Sequence, residues 1–364
     1  MKLVIFGLSV SSSWGNGHAV LWRALIRSLG ALGHRVLFFE RDVPYYAENR
    51  DLTELNGGSL VLYRDWHEIA ARARRELADA DAAIVTSYCP DALAATGLVL
   101  DGPGLRVFYD LDSPVTLARL GSGERVPYLG SRGLAGFDLT LSYAGGTVLT
   151  ALRERLGASR VAPLYGCVDP DRYRPALPRD GGRAALSYLG TYAEDRQREL
   201  NRFLLQPARC RPAQRFIIGG ALYPQHFPWR ANIFFERHVS PDAHPRFYAA
   251  ARMTLNITRR AMAECGWCPS GRLFEAAACA TAILSDWWEG LDQFFVPGAE
   301  ILIVHTTEDV LNALELSDRE LVATGAAARA RALAEHTADH RATELVGLLS
   351  AAYSRAPDSI REEA

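Results

Sequence analysis

Residues 3–8 form a near-continuous apolar run, followed by a glycine-rich turn, Trp14-Gly15-Asn16-Gly17-His18. Leu21, Trp22, Leu25, Ile26, Leu29 and Leu32 then recur at three- and four-residue steps. Gly33 closes the stretch, and residues 35–40 (RVLFFE) are apolar again. An unbroken apolar run suits a parallel strand covered on both faces, and the three-and-four spacing is that of an amphipathic helix. Strand, glycine turn, helix and strand make a βαβ unit, which commits the chain to a sheet with helices on its faces.

The alternation continues. Strands are expected at 59–63, 82–86, 105–109, 138–142 and 161–164, with helices at 66–79, 91–98 and 147–156. At 167–183 (CVDPDRYRPALPRDGGR) aliphatic residues give way to prolines and glycines, the composition of an interdomain connection. The pattern then restarts, with strands at 185–189, 215–218, 233–239, 253–257, 282–285 and 301–304. Helices are expected at 193–205, 243–251, 271–280, 307–315, 319–334 and 340–353. The fold class is therefore α/β with doubly wound sheets, two similar-sized halves joined by a hinge and a ligand in the cleft between them, an arrangement the resemblance given below narrows to two facing Rossmann-like domains. The expected divisions are 1–166, a hinge at 167–183, a second domain at 184–335, and a C-terminal helix and tail at 336–364. That helix is free to pack back on the first domain, and the last residues, DSIREEA, are expected to fray.

Composition removes several function classes. Forty basic against forty-two acidic residues leave a formal charge of −2, which gives no electrostatic case for nucleic acid or an anionic membrane. Lysine occurs only at Lys2, so 39 of the 40 basic residues are arginine, from coding bias or from a use for phosphate. The N-terminal run lacks a cationic leader and a cleavage site, and no run of about 18 uncharged apolar residues follows. Six scattered cysteines without a secretory signal point to a reduced, cytoplasmic protein.

Several loops could carry chemistry. Ser270 is placed to cap a helix running through Gly271, Arg272, Leu273 and Glu275, and a helix start with its free N–H groups suits a phosphate. Arg272 would add a charged fork there, and Glu275 could accept both hydroxyls of a ribose or simply balance the helix dipole. Gly190-Thr191 and Gly219-Gly220 follow strands, where glycine lets backbone approach an anion, and Arg196 could reach the same phosphates. Gly15, Asn16 and Gly17 are a partial dinucleotide fingerprint spoiled by Val20, or a tight turn capped by Asn16. His18 beside them is a candidate general base or a structural histidine. Asp110 and Asp112 could hold a divalent metal, or Asp112 could cap the turn before Pro114. Cys265 and Cys268 match a redox spacing or half of a zinc site, but no second pair is nearby and they precede the expected helix instead of opening it.

Three stretches carry a resemblance. LNITR (255–259) with CPSGRLFEAAACATAILSDWWEGLDQFFVPGAEILI (268–303) resembles the C-terminal half of CgeB-type glycosyltransferases of the GT-B fold. Residues 14–46 resemble their N-terminal half, and YGCVDPDRYRP (165–175) is similar to the hinge motif of many two-domain glycosyltransferases. The resemblance implies transfer of a sugar from a nucleoside-diphosphate donor (UDP-, dTDP- or GDP-linked) to a small-molecule, glycan or other acceptor. It implies no permanent cofactor and no metal. By that match Glu275 binds the ribose, and Ser270, Gly271, Arg272, Leu273, Gly190, Thr191, Arg196, Gly219, Gly220 and Arg259 surround the diphosphate. Backbone at His238 and Val239 reads the base, while Gly15, Asn16, Gly17, His18 and Asp112 face the acceptor. Related enzymes carry a Glu-x7-Glu pair, whose first position is Trp267 here, so the anomeric outcome stays open. Ala280 replaces a usual glycine, which reads as a harmless packing change. A nucleotide-sugar epimerase, a nicotinamide-dependent oxidoreductase and a non-catalytic sugar-nucleotide-binding protein are the alternatives, and the oligomeric state is open.

Overall fold

The computed structural model describes residues 1–177 and 182–354. Part of the expected hinge (178–181) and the DSIREEA tail lie outside the described residues. The chain divides into two compact units, Met1–Tyr165 with the segment from Ala338, and Gly166–Thr337.

The first unit is built on seven parallel strands: β1 (Lys2–Gly7), β2 (Arg35–Arg41), β3 (Ser59–Tyr63), β4 (Ala82–Thr86), β5 (Leu105–Asp110), β6 (Leu139–Ser142) and β7 (Val161–Pro163). Their order across the sheet is β3-β2-β1-β4-β5-β6-β7. Leu3 registers with Val36 on one side and Ala82 on the other. Leu3, Val4, Ile5 and Phe6 are wholly buried, which is why an uninterrupted apolar run was needed. Helix Ala338–Tyr353 belongs to this unit, where Ser28 donates to Asp339 at 2.6 Å and Arg160 donates to the Ala352 carbonyl at 2.8 Å.

The second unit carries β8 (Ala184–Leu189), β9 (Phe216–Gly220), β10 (Ile233–Arg237), β11 (Ala251–Asn256), β12 (Ala282–Ser285) and β13 (Leu302–Ile303). All neighbours are parallel, in the order β10-β9-β8-β11-β12-β13. Its core joins the inner strands to Leu200, Phe203, Leu204 and Val310.

The expected helix over 193–205 is not one helix. A 3-10 turn (Glu194–Arg196) leads into Gln197–Leu200, a π-helical turn (Asn201–Leu205) and then Gln206–Cys210. Pro207 explains the break, because it offers no N–H to the Phe203 carbonyl and its ring crowds that carbonyl, so the turn before it widens. Three further helices, Pro44–Ala47, Ser113–Gly121 and Arg260–Cys265, are short and lack a long apolar period, and the sequence did not announce them.

Candidate functional site

In an open parallel sheet, ligands bind beyond the carboxyl ends of the strands where the strand order reverses. Each unit has one such point. In the second unit it lies between β8 and β11, the two central strands from which the order runs outward in opposite directions.

The loop after β8 begins with Gly190 and Thr191. Gly190 N–H donates to the Gly219 carbonyl at 2.8 Å. A Cβ on Gly220 would stand 2.0 Å from the Gly190 carbonyl oxygen, so only glycine allows these two strand ends to close together. A Cβ on Gly219 would strike Phe247 and Val239, so this glycine serves packing. Gly190 does something different: a Cβ there would lie 2.9 Å from both Arg272 Nη2 and the Tyr188 hydroxyl. Its bareness lets a guanidinium rest on the loop.

Two arginines gather there. Arg272 lies over the Tyr188 ring, 5.4 Å from the centroid, and its Nη1 approaches Asn256 Oδ1 at 3.4 Å. Arg196 Nη1 donates to the Thr191 carbonyl at 3.0 Å, and its Nε is buried with no partner. Neither arginine is ion-paired among the described residues. Arg259, at the end of the loop after β11, pairs instead with Asp195 at 3.3 Å, which ties it to the loop after β8.

Helix Gly271–Ala278 starts at this point. Ser270 occupies the cap position with extended backbone, but its hydroxyl makes no capping bond and donates to Asn256 Oδ1 at 2.9 Å. The expected cap is thus corrected: the hydroxyl is oriented by donating to Asn256, at the end of β11, and no helix N–H bonds to it. Asn256 also donates to Ser285 Oγ at 3.0 Å. The next residue, Asp286, accepts from Thr258 N–H and hydroxyl at 3.1 and 3.0 Å, and burial pushes its carboxyl up to about 6.

Glu275 is buried beneath the arginines. Its Oε2 accepts from the Tyr248 hydroxyl at 3.2 Å and faces His244 Nδ1 at 3.3 Å. Burial pushes the carboxyl up, but His244, Arg272 and Tyr248 together outweigh it and hold it below the usual range. Tyr173 contacts the same His244 nitrogen at 3.2 Å, and His244 Nε2 meets the Val239 carbonyl, also at 3.2 Å. His238 stands beside it in a left-handed conformation (φ 51°), with its N–H on the Gly220 carbonyl. Trp267 is left-handed too (φ 49°), and its indole packs against Gly290, where a Cβ would come within 2.4 Å. Cys265 is half-buried and Cys268 buried, and neither is in a disulfide. Among the described residues no three His, Cys, Asp or Glu side chains gather as a metal site.

Ala280 follows the same helix in a left-handed conformation (φ 57°). Thr281 N–H reaches the Ala276 carbonyl at 3.1 Å and Ala280 N–H reaches that of Ala277 at 2.8 Å, which is a Schellman closure. The glycine-to-alanine change is therefore one of backbone conformation and not of packing.

In the first unit the order reverses between β1 and β4. The loop after β1 is held from below by Glu40, fully buried, which accepts from the hydroxyls of Ser9 and Ser11 and the N–H groups of Val10 and Ser11 at 2.6–2.9 Å. Asn16 caps helix Gly17–Ala31 through the His18 N–H at 3.1 Å. Gly15 is left-handed (φ 59°), and Gly17 opens the helix with open space where a Cβ would be. The His18 ring then faces Asp112, Nε2 to Oδ2 at 3.5 Å, while Nδ1 is buried without a partner. Asp112 stands at the start of helix Ser113–Gly121 but makes no capping bond, because its carboxylate is turned to His18. Asp110 is buried behind it. Its Oδ1 accepts from Asp112 N–H at 3.1 Å and its Oδ2 has no partner.

Reasoning from sequence overlooked Tyr188, Asn256, Tyr248, His244, Tyr173 and Glu40. An Asn or an aromatic at a strand end is a weak signal until the strand order is known.

Residues 196–347 match the family model described as Glycosyl transferase-like. No curated protein sequence matches the chain. Among solved structures the chain is similar to a sucrose-phosphate synthase from Thermosynechococcus elongatus, at 14% identity and a TM-score of 0.71, covering 98% of this chain and 100% of that one. It is similar to HepE of Anabaena in complex with UDP and glucose, at 10% identity and 0.69, covering 96% and 100%. An alpha-glucosyltransferase in complex with UDP matches at 12% and 0.69, covering 96% and 100%. No helix among the described residues is long and apolar enough to cross a membrane. The chain has the two-domain, Rossmann-like GT-B fold, and a part of it is similar to the Glycosyl transferase-like family.

Proposed function

We propose that this protein is a glycosyltransferase that moves a sugar from a nucleoside-diphosphate donor to an acceptor hydroxyl. The observation that carries the reading is the pair of half-buried, unpaired arginines, Arg272 and Arg196, at the point where the second sheet reverses its strand order. Two guanidiniums without carboxylates, beside an open helix start, form a cradle for a diphosphate. The likeness of residues 268–303 to CgeB-type enzymes and the nucleotide named with two of the similar structures support the same reading.

Cleavage of the donor leaves negative charge on the departing phosphate. Arg272, Arg196 and the first N–H groups of helix Gly271–Ala278 meet that charge as it develops, so they stabilise the transition state more than the bound donor. On this reading fixed protein charge does the work a metal does elsewhere. Glu275, held ionised, accepts from the ribose hydroxyls, and Oε1 is the oxygen left for them because Oε2 is engaged by Tyr248 and His244. Arg259 braces the loop that carries Arg196 through Asp195. Should transfer invert the anomeric centre, His18 is the base, with Asp112 beside its Nε2.

A thermal-shift panel of UDP, dTDP, GDP and their glucose esters tests the reading. A donor at 100 times its dissociation constant stabilises by ~2.7 kcal/mol. Stabilisation by at least one is expected, and the absence of any shift across the panel removes the proposal.

A further inference from the structure

The charges at the two reversal points differ in sign. In the second unit Arg272 and Arg196 stand without carboxylate partners. In the first, Arg23 and Arg50 touch the loop after β1 and Arg41 ends β2, and each is already matched: Arg23 with Asp51 at 2.5 Å, Arg41 with Asp91 at 3.0 Å and Arg50 with Asp42 at 2.6 Å. The carboxylates left over are Glu40, Asp110 and Asp112, and among the described residues no arginine pairs with any of them. Glu40 is satisfied by neutral donors alone. Asp112 faces only His18, and Asp110, 1% exposed, keeps Oδ2 unpartnered.

Asp110 is enclosed, with the Thr116 and Ser87 hydroxyls the neutral groups acting on its carboxyl, so no cation compensates its charge. Burial pushes the Asp110 carboxyl up to about 6, so at pH 8 it is still ionised. Across the reversal from His18 stands Tyr88, half-buried and left-handed (φ 63°), a backbone state that a tyrosine adopts only when its surroundings impose it. Its ring lies 5.8 Å from the His18 ring and 4.9 Å from that of Tyr128. A carboxylate without an arginine, Asp112, beside an aromatic ring suits a sugar ring, which offers hydroxyl donors on its edge and C–H groups on its face. Surplus negative charge in a low-dielectric setting disfavours a phosphate.

We propose that the strand ends around His18, Tyr88, Asp110 and Asp112 bind an uncharged, hydroxyl-bearing sugar ring as acceptor and turn its phosphorylated counterpart away. The inference rests on the glycosyltransferase reading and names the acceptor class for it. Asp110 acts as a fixed charge behind Asp112, selecting by electrostatics.

The test pairs neutral sugars with their phosphate esters. Glucose, fructose, mannose and octyl glucoside are offered with glucose 6-phosphate, fructose 6-phosphate, mannose 6-phosphate and a duplex DNA. The full chain is used at pH 8 with UDP-glucose, and UDP release is read above the rate in water. At least one neutral member is expected to raise UDP release, by about tenfold or more over its phosphate. Asp110→Asn, which keeps the shape and removes the charge, narrows that preference about tenfold, and Asp112→Asn serves if the first variant does not fold. A phosphorylated member or DNA exceeding every neutral one overturns the proposal, as does no neutral member exceeding water, or an unchanged preference in the folded variant. Calorimetry with UDP, dTDP and GDP, each alone, separates the two readings. Bound UDP with a preference for phosphate defeats this inference only, whereas no binding of UDP, dTDP or GDP defeats the donor reading beneath it.

Discussion

The guanidinium of Arg272 lies over the Tyr188 ring, 5.4 Å from its centroid, at the end of the central strand of the second unit. The ring holds the cation in place without neutralising it, as a carboxylate would. The charge stays available to an anion, and the loop glycine beside it leaves room for one.

Arg272→Ala is expected to lower turnover ten- to a hundredfold, since a hydrogen bond to a charged group is worth ~1.5–3 kcal/mol. Arg272→Lys recovers only part of this, because an ammonium cannot reproduce the planar fork on a phosphate. Steady-state UDP release checks both. Turnover equal to wild type in the alanine variant excludes this arginine from leaving-group stabilisation.

Gly190 and Gly220 should respond differently to alanine. At Gly190 the new methyl meets Arg272 Nη2 and the Tyr188 hydroxyl, the far ends of side chains, so the arginine is displaced and donor affinity falls while the melting temperature barely moves. At Gly220 it meets a backbone oxygen at 2.0 Å, and overpacking of that kind costs roughly 1–3 kcal/mol. Chemical denaturation of the two variants separates them, and equal loss of stability in both speaks against the distinction.

Ala280→Gly should stabilise the chain. The left-handed state costs a residue with a Cβ about 1–2 kcal/mol, and glycine's extra unfolded-state freedom takes back about 0.5–1, which leaves roughly 0.5–1 kcal/mol. A raised urea midpoint with unchanged slope is the expected result. A lowered midpoint means that the alanine methyl has packing value that offsets its strain.

Buried carboxylates give stability a pH dependence of a particular sign. Asp286 titrates at about 6 in the folded chain against about 3.9 for a free aspartate, so the folded state holds its proton more tightly. Its contribution is therefore largest below pH ~4 and is lost as pH rises to ~6. Glu275, held low, runs the other way: its contribution is present above the free glutamate value and is lost as pH falls below it. Asp286→Asn, which keeps an acceptor for Thr258, should flatten the decline between pH 4 and 6. Denaturation midpoints across that window check it, and an unaltered slope refutes the assignment.

Much of the fold can be read from the chain because its physics is local. Residues 3–8 read as a buried strand and the strand spans Lys2–Gly7, while 147–156 read as a helix and Thr147–Leu156 is one, closed by Gly157, whose left-handed φ of 73° only glycine takes cheaply. The partners within the site are another matter. Asn256 and Ser270 are 14 residues apart, Tyr248 and Glu275 are 27 apart, and His18 and Asp112 are farther still. They meet only because the strand order reverses beside them, and strand order is not encoded in any single stretch. Ser270 shows the consequence: its local sequence calls for a cap, and a strand end from elsewhere takes the hydroxyl instead.

Titration of the full chain by calorimetry with whichever of the UDP, dTDP and GDP sugars raises its melting temperature most, alongside the Arg196→Ala, Arg272→Ala double variant, tests the central claim most directly. The account predicts measurable heat with the natural chain and at least a hundredfold weaker binding in a double variant that still melts cooperatively, at ~1.5–3 kcal/mol for each charged contact. Equal affinity in the two proteins would contradict it, because the diphosphate would then be held somewhere other than on these guanidiniums.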